Sequence, residues 1–383
     1  MFREIPYGFH WIEKDDVEAV SAVLKGGLIV QGPKVEEFER SLANYTGAKY
    51  CVAVSSGTAA LHLAVAALEL SGGEGITTPN TFVASANCLL YNGLKPVFAD
   101  IDRETFCLNP KRLREKITRR SKLVIPVDFA GQAAPMREIF ALAKKHHLFV
   151  VEDAAHALGG KYPTGEKIGS CRYSDLTIFS FHPVKAITTG EGGAITTNHE
   201  ELAKRLKYLR SHGITKGLSL LKKSPRPWYY EMRRLGFNYR LTDFQAALGL
   251  SQLKKLSRFI RRRREIARYY DRVLRGLPHV TVPTEGRGNF SAYHIYVIRV
   301  DFSALGKTRR EMMERLEKEG VGTQVHYIPV YHHPYYRKRF PSKRRDFPVC
   351  EAYYRSALTI PLYPKMTDRE VEFVAKKIKK VLT

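Results

Sequence analysis

One lysine, Lys185, stands between the β-branched run LTIFSF (176–181) and the small-residue turn TTGEGG (188–193), within the stretch FSFHPVKAITTGEGGAITTN (179–198). An amine among apolar neighbours gives up its proton readily and can attack a carbonyl carbon. Ser180 and His182 stand beside it in sequence. Upstream, LFVVEDAAHALGG (148–160) puts Glu152 and Asp153 at the end of an apolar strand, before a turn of small residues. Open α/β sheets bind ligands at that end of their strands. A carboxylate there either serves as ion-paired scaffolding or holds a protonated ring nitrogen. In CVAVSSGTAALHLAVAALEL (51–70), a strand passes through Ser55-Ser56-Gly57-Thr58 into an Ala/Leu helix. Unpaired N–H groups and the positive end of a helix dipole therefore face the strand end. Ser56 is either a plain helix cap or part of a phosphate cradle. Neither G-x-x-x-x-G-K-[ST] nor G-x-G-x-x-G is present, so no P-loop or dinucleotide fingerprint competes for that role. An amine for an aldehyde, an anion for a pyridinium nitrogen and N–H donors for a phosphate together fit pyridoxal 5′-phosphate (PLP).

These groups need a scaffold that brings strand ends together. Between residues 50 and 200, short β-branched runs alternate with helix-like segments: YCVAV, GITTP, PVFADI, KLVIPVDF, LFVVED, LTIFSF and GAITTN are the strands. Their continuous apolar character predicts an α/β fold with a mostly parallel sheet covered on both faces. Beyond Asn198 the pattern turns helical, with a long periodic run over TDFQAALGLSQLKKLSRFIRRRREIARYYDRVLRG. YHIYVIRVDF (293–302) then reads as a strand, KTRREMMERLEKEG as a helix and GTQVHYIPV (322–330) as another strand. The expected organisation is a large domain over 1–250, with an N-terminal substrate segment, and a smaller α+β domain over 251–383. The boundary falls inside the long helix.

The 383 residues carry a formal net charge of +25, which invites a nucleic-acid reading because Lys and Arg neutralise phosphates. The charge gathers in RRRR (261–264), RKRFPSKRR (337–345) and KKIKK (376–380), which read as solvated faces, and no nucleic-acid-binding motif accompanies them. A basic surface equally suits an anionic small substrate. The five cysteines are spread without metal-ligand spacing, so reduced thiols and no metal are expected, with Cys51 and Cys88 as core residues. No signal peptide or membrane span is evident, and the expectation is a cytoplasmic chain bound to neither membrane nor nucleic acid.

Almost the whole chain resembles the DegT/StrS-type nucleotide-sugar aminotransferases of PLP fold type I. The resemblance runs from GLIVQGPKVEEFE (27–39) through SSGTAALHLA, TTPNTFVASAN, PVFADID, EDAAHALG, FSFHPVKAITTGEGGAITTN and GFNYRLTDFQAALGLSQL to QVHYIPVYHHPYYRKRF (324–340). Within the family, SFHPVKAITTGEGG, SHGI and VHYIPVYHHPYY are most similar to members acting on a UDP-linked 4-keto-6-deoxy-N-acetyl sugar. Their product is UDP-4-amino-4,6-dideoxy-N-acetyl-β-L-altrosamine, on the route to pseudaminic acid. Other family substrates are precursors of bacillosamine, GDP-perosamine and UDP-4-amino-arabinose. Relatives that act as dehydratases carry His in place of the lysine, and Lys185 argues against that branch.

The resemblance implies roles for individual residues. Lys185 carries the cofactor and shuttles protons, and Asp153 pairs with the pyridine nitrogen. His156 contacts the ring hydroxyl. Phe82 stacks on the ring, although an aromatic there also suits the core. Gly57, Thr58 and Ser180 hold the phosphate, joined by Asn238 from a neighbouring subunit, which implies a homodimer. Tyr7, Gly27, Leu28, Ile29, Val30, His326, Tyr327, Ile328 and Pro329 are implied in substrate binding, with Arg240 a candidate for the diphosphate. Glutamate is the implied amino donor, leaving as 2-oxoglutarate while pyridoxamine phosphate carries the amino group. Three positions depart from the family pattern: Val30 where Thr is usual, Asp128 where His is common and Tyr331 where His is frequent.

Overall fold

The computed structural model describes residues 4–215 and 228–382. Seven strands form the central sheet: β1 (Tyr50–Val54), β2 (Glu74–Thr77), β3 (Lys95–Phe98), β4 (Ser121–Ile125), β5 (Phe149–Asp153), β6 (Leu176–Ser180) and β7 (Gly193–Thr197). Their order is β1-β7-β6-β5-β4-β2-β3. Only β7 runs against its neighbours, so the sheet is mostly parallel, as the apolar runs predict.

Side chains alternate between the two faces with a period of two. Val52, Val54, Val151, Ile178 and Ile195 join one buried cluster with the Ala/Leu residues of α3 (Gly57–Ala66) and with Ala84 and Cys88 of α4 (Ala84–Tyr91). Cys51, Ala53, Val150, Phe179 and Ala194 join the cluster on the opposite face. All five cysteines are free and buried. No helix among the described residues is long and apolar enough to cross a membrane.

A 32-residue helix, α8 (Asp243–Leu274), spans about 48 Å at 1.5 Å per residue. Its start is fixed by a capping box between Thr242 and Gln245. The boundary expected at residue 250 lies inside it. Its C-terminal half packs Ile266, Ala267, Tyr270 and Leu274 into a third cluster with Ile5, with Met312 and Leu316 of α9 (Arg309–Lys318) and with Val374 and Ile378 of α12 (Asp368–Leu382). That cluster backs the antiparallel sheet β10 (Val280–Thr281), β11 (Tyr296–Val300) and β12 (Ala357–Ile360).

Two expectations change. The segment 322–330 is not a strand; it makes one bridge, Gln324 to Thr359, and then turns into a short 3-10 helix over Val330–His332. Its side chains are spent on tertiary partners, Pro329 has no N–H to pair, and the Val330 N–H donates to the Pro79 carbonyl at 3.0 Å. The alternating pattern there reflects docking between layers rather than ladder pairing. The run 261–264 is not a uniformly solvated face either, because the helical period carries the buried stripe of α8 through Arg263, which is 1% exposed.

Candidate active site

The cradle at the N-terminus of α3 follows from register. Val54 pairs with Gly193, and Gly193 pairs with Ser180, so the ends of β1, β7 and β6 stand in a row. A Cβ on Gly193 would lie 2.4 Å from the Ser56 carbonyl oxygen, and one on Gly57 would lie 2.8 Å from Ser180 Cβ. Only glycine at both places lets the helix start come down onto the strand ends. Ser56 caps α3 by accepting from the Ala59 N–H at 3.0 Å, and the Gly57 end of the helix stands against Ser180. The Ser180 hydroxyl accepts only a long 3.5 Å contact from the His182 N–H. Gly57 and Ser180 are half-buried and Thr58 is exposed.

Asp153, the last residue of β5, points toward α4. Its Oδ2 accepts from the Ser85 hydroxyl at 2.6 Å and its Oδ1 from the Ala155 N–H at 3.1 Å. Burial raises this carboxyl above its usual range, while Ser85, the Ala155 N–H and Lys185 pull it back. Glu152 faces the other way and accepts from the hydroxyls of Tyr162 (2.7 Å) and Thr177 (2.7 Å), so the strand alternation separates two adjacent acids into different environments. Asp128, the departure from the family pattern, lies on that buried side. Its N–H donates to the Asp153 carbonyl and its Oδ1 accepts from the Ala134 N–H.

Lys185 is partly buried, and its N–H donates to the His182 carbonyl at 2.9 Å. Burial pulls its ammonium down to about 8, Asp153 opposes this and Arg263 adds to it. Around it stand three imidazoles. His156 Nε2 and the Tyr327 hydroxyl share a hydrogen bond of 2.9 Å. The His294 ring lies 4.2 Å from that of His156, centroid to centroid. His326 Nδ1 meets the Thr359 hydroxyl at 2.9 Å, and its ring lies 5.4 Å from that of Tyr7. Burial holds His156 and His294 far below the usual imidazolium value and His326 down to about 3, so all three rings are neutral near pH 7.

The structure thus gathers Asp153, His156, Lys185, Tyr7, His326 and Tyr327, and sets Gly57 against Ser180. Phe82 is 57% exposed, with its ring 6.2 Å from that of Tyr327, so it is not core filling. Pro329 is buried, and Ile328 is exposed. Asn238 is exposed and Arg240 half-buried, and the intervening Tyr239 carbonyl accepts from the Ser55 N–H. The loop Gly27–Val30 is exposed, and no hydrogen bond, ion pair or ring contact among the described residues links it to Lys185. Tyr331 turns away into the interior and donates to Glu351 at 2.6 Å.

Sequence reading missed Ser85, His294 and Arg263. Ser85 sits within TTPNTFVASAN, and its role depends on α4 facing β5. Arg263 carried a signal, since a basic residue on the apolar stripe of a helix needs a buried partner. PLP fits this arrangement. Among the described residues the buried Asp153 has only neutral hydrogen-bond donors and the Lys185 charge around it and the buried His156 Nδ1 has no partner, and the Gly57–Ser180 cradle leaves no room for a Cβ.

The model of the DegT/DnrJ/EryC1/StrS aminotransferase family matches residues 10–379. The chain is 43% identical to the spore coat polysaccharide biosynthesis protein SpsC of Bacillus subtilis, covering 99% of this chain and 97% of that protein. It is 38% identical to the UDP-4-amino-4,6-dideoxy-N-acetyl-beta-L-altrosamine transaminase of Campylobacter jejuni, over 97% and 95% of the two chains. Among solved structures it is similar to Helicobacter pylori PseC, an aminotransferase involved in the biosynthesis of pseudoaminic acid, with a TM-score of 0.92, 34% identity and 99% of each chain covered. Another solved neighbour, 30% identical, is known in both PLP and PMP forms. The chain is therefore a member of the DegT/DnrJ/EryC1/StrS aminotransferase family and a PLP-dependent enzyme.

Proposed function

We propose that this enzyme moves an amino group from L-glutamate to C4 of a UDP-linked 4-keto-6-deoxy-N-acetyl sugar. The product is UDP-4-amino-4,6-dideoxy-N-acetyl-β-L-altrosamine, and 2-oxoglutarate leaves. The observation that carries the transamination is a buried Asp153 carboxyl and a partly buried Lys185 amine, each shifting the other's proton affinity, near the cradle of Gly57 and Ser180. When bound, PLP holds the amino group between the two half-reactions and takes up the electron pair released at the substrate carbon. Lys185 moves the proton to and from that carbon, and an amine titrating near 8 is suited to both directions near neutral pH. Asp153 holds the proton on the ring nitrogen. His156 positions the ring hydroxyl, with Tyr327 orienting its imidazole. Gly57, Thr58 and Ser180 bind the phosphate, and Phe82 covers the ring. Tyr7 and the segment His326–Pro329 face the sugar, and Arg240 faces the diphosphate.

The identity to the Campylobacter transaminase and the likeness to PseC support the choice of sugar. A different nucleotide 4-keto sugar is the second reading, favoured by the 43% identity to a spore coat polysaccharide protein. We infer that the enzyme is a homodimer in which Asn238 and the loop Gly27–Val30 complete the partner's site. The exposure of Leu28 (61%), Ile29 (46%) and Val30 (46%) supports this, because apolar residues grouped on a surface mark an interface. We infer two units, 1–250 and 251–383, supported by the separate cluster behind β10–β12. A cytoplasmic location agrees with five free, buried thiols.

Incubation with glutamate, PLP and a panel of UDP- and GDP-linked 4-keto sugars, read by product mass and NMR, tests the reading. Amination of the altrosamine precursor is expected. Turnover of another sugar alone would overturn the substrate and leave the aminotransferase standing. Mixing Lys185→Ala with Asn238→Ala protein tests the shared site, since mixed dimers would restore roughly a quarter of wild-type sites. Activity no higher than the mean of the two parents would sink the shared arrangement.

A further inference from the structure

Arg263 is the most deeply buried cation among the described residues, and it has no carboxylate partner there: no ion pair among them involves it. Each of its hydrogen bonds ends on a main-chain carbonyl. Nη1 donates to Tyr293 (3.3 Å), His294 (2.9 Å) and Leu362 (3.1 Å), and Nη2 makes long contacts of 3.5 Å to Val184 and Lys185. Nε is buried without a partner among the described residues. A charge held this way is costly compared with an apolar residue in the same stripe, so burial of α8 does not by itself explain it.

The acceptors explain it better. They belong to three segments distant in sequence, and each supports a wall of the active site. The Lys185 carbonyl belongs to the residue that holds the cofactor. The His294 ring packs tilted against that of His156, and the Leu362 N–H donates to the Tyr7 carbonyl at 3.1 Å.

We propose that Arg263 is a positioning residue whose guanidinium gathers the Val184–Lys185, Tyr293–His294 and Leu362 carbonyls, fixing the Lys185 side chain relative to His156 and Tyr7. This rests on the aminotransferase reading of the site. The guanidinium spreads its donors over Nη1 and Nη2 in one rigid plane and so reaches carbonyls on two sides, whereas a lysine in its place would keep the charge and three donors but gather them at one point. The charged and titratable groups that face Lys185 are Asp153 on β5, Arg263 on α8, and the neutral His156, His294 and His326. Removal of the Arg263 charge leaves Asp153 as the dominant influence beside burial, which favours the ammonium.

The test compares Arg263→Met and Arg263→Lys in the full chain. Without cofactor, Lys185 is reductively methylated with formaldehyde and cyanoborohydride across pH and the modified peptide is quantified by mass. With PLP, the glutamate half-reaction is followed by absorbance, and thermal melting is recorded for each variant. Arg263→Met should move the methylation midpoint of Lys185 upward and slow the half-reaction by about tenfold or more. Arg263→Lys should keep the midpoint near the wild-type value and still lose about tenfold in rate, with glutamate KM little changed. A Met variant with lower melting temperature but unchanged midpoint and rate would overturn the proposal, because Arg263 would then be structural only. Where Arg263→Met fails to fold, Arg263→Lys decides, and a wild-type rate in that variant overturns it. The cofactor-free labelling needs no turnover, so a failure of the aminotransferase reading would show separately, as wild-type protein that does not react with glutamate.

Discussion

Strand ends form one wall of the site, and residues between 263 and 327 form the other. On the strand side, Gly57, Asp153 and Ser180 are placed by sheet register, and their partners are main-chain N–H groups and short hydroxyls. On the other side, Arg263, His294, His326 and Tyr327 come from a helix and from connecting segments, and they meet through contacts between buried layers. The first wall is fixed by ladder pairing and short hydrogen bonds, which suits groups that tolerate little displacement. The second holds neutral rings and loop residues, which suit a changing substrate and depend on the packing of the rest of the chain.

The contrast can be broken at its strongest point by Lys185→Ala. Turnover should fall by about 10^4-fold or more while melting and circular dichroism stay those of a folded protein. Appreciable residual transamination would remove the strand wall's claim to the chemistry. Next comes the pair of adjacent acids. Asp153→Asn should cost about 100-fold or more in turnover. Glu152→Gln should leave cofactor absorbance and rate nearly intact and lower stability by about 1–3 kcal/mol, because a buried amide N–H2 would face the hydroxyl donors of Tyr162 and Thr177. Equal effects on rate would show that the strand alternation does not divide site from scaffold.

On the second wall, Tyr327→Phe leaves His156 Nε2 without its partner. The expected loss is about tenfold in kcat/KM, smaller than for either strand-end residue, and steady-state kinetics checks it. The last effect is on stability rather than rate and concerns pH. Lys185 titrates near 8 when folded and near 10.5 when unfolded, so between those values the unfolded chain holds a proton that the folded chain has released. The Lys185 contribution to stability therefore rises with pH through that window. In cofactor-free protein, Lys185→Met should raise the melting temperature more at pH 7 than at pH 10. An equal change at both values would mean that burial does not depress this amine.

The strand wall was readable because its information is local. The runs 50–54, 148–153 and 176–181 became β1, β5 and β6, and a strand followed by Ser-Ser-Gly-Thr before an Ala/Leu run sets its own helix start. The other wall was readable only through resemblance, and in part. His326 and Tyr327 were anticipated as substrate residues, yet the strand expected there does not form; His294 carried no motif, and Arg263 only its place on the apolar stripe of a helix. RRRR on paper is four equal charges, and one of them becomes the most buried cation of the described chain.

Residue order alone determined the mostly parallel core and the strand-to-helix turn at Ser56–Thr58, because period-two burial and a helix start depend on near neighbours in the chain. Tertiary structure alone decided that Ser85 bonds Asp153, that the His294 ring packs against His156 and that Arg263 reaches the Lys185 carbonyl. Those contacts join segments far apart in the chain, and their geometry exists only once two buried clusters have closed on the central sheet and a third behind β10–β12.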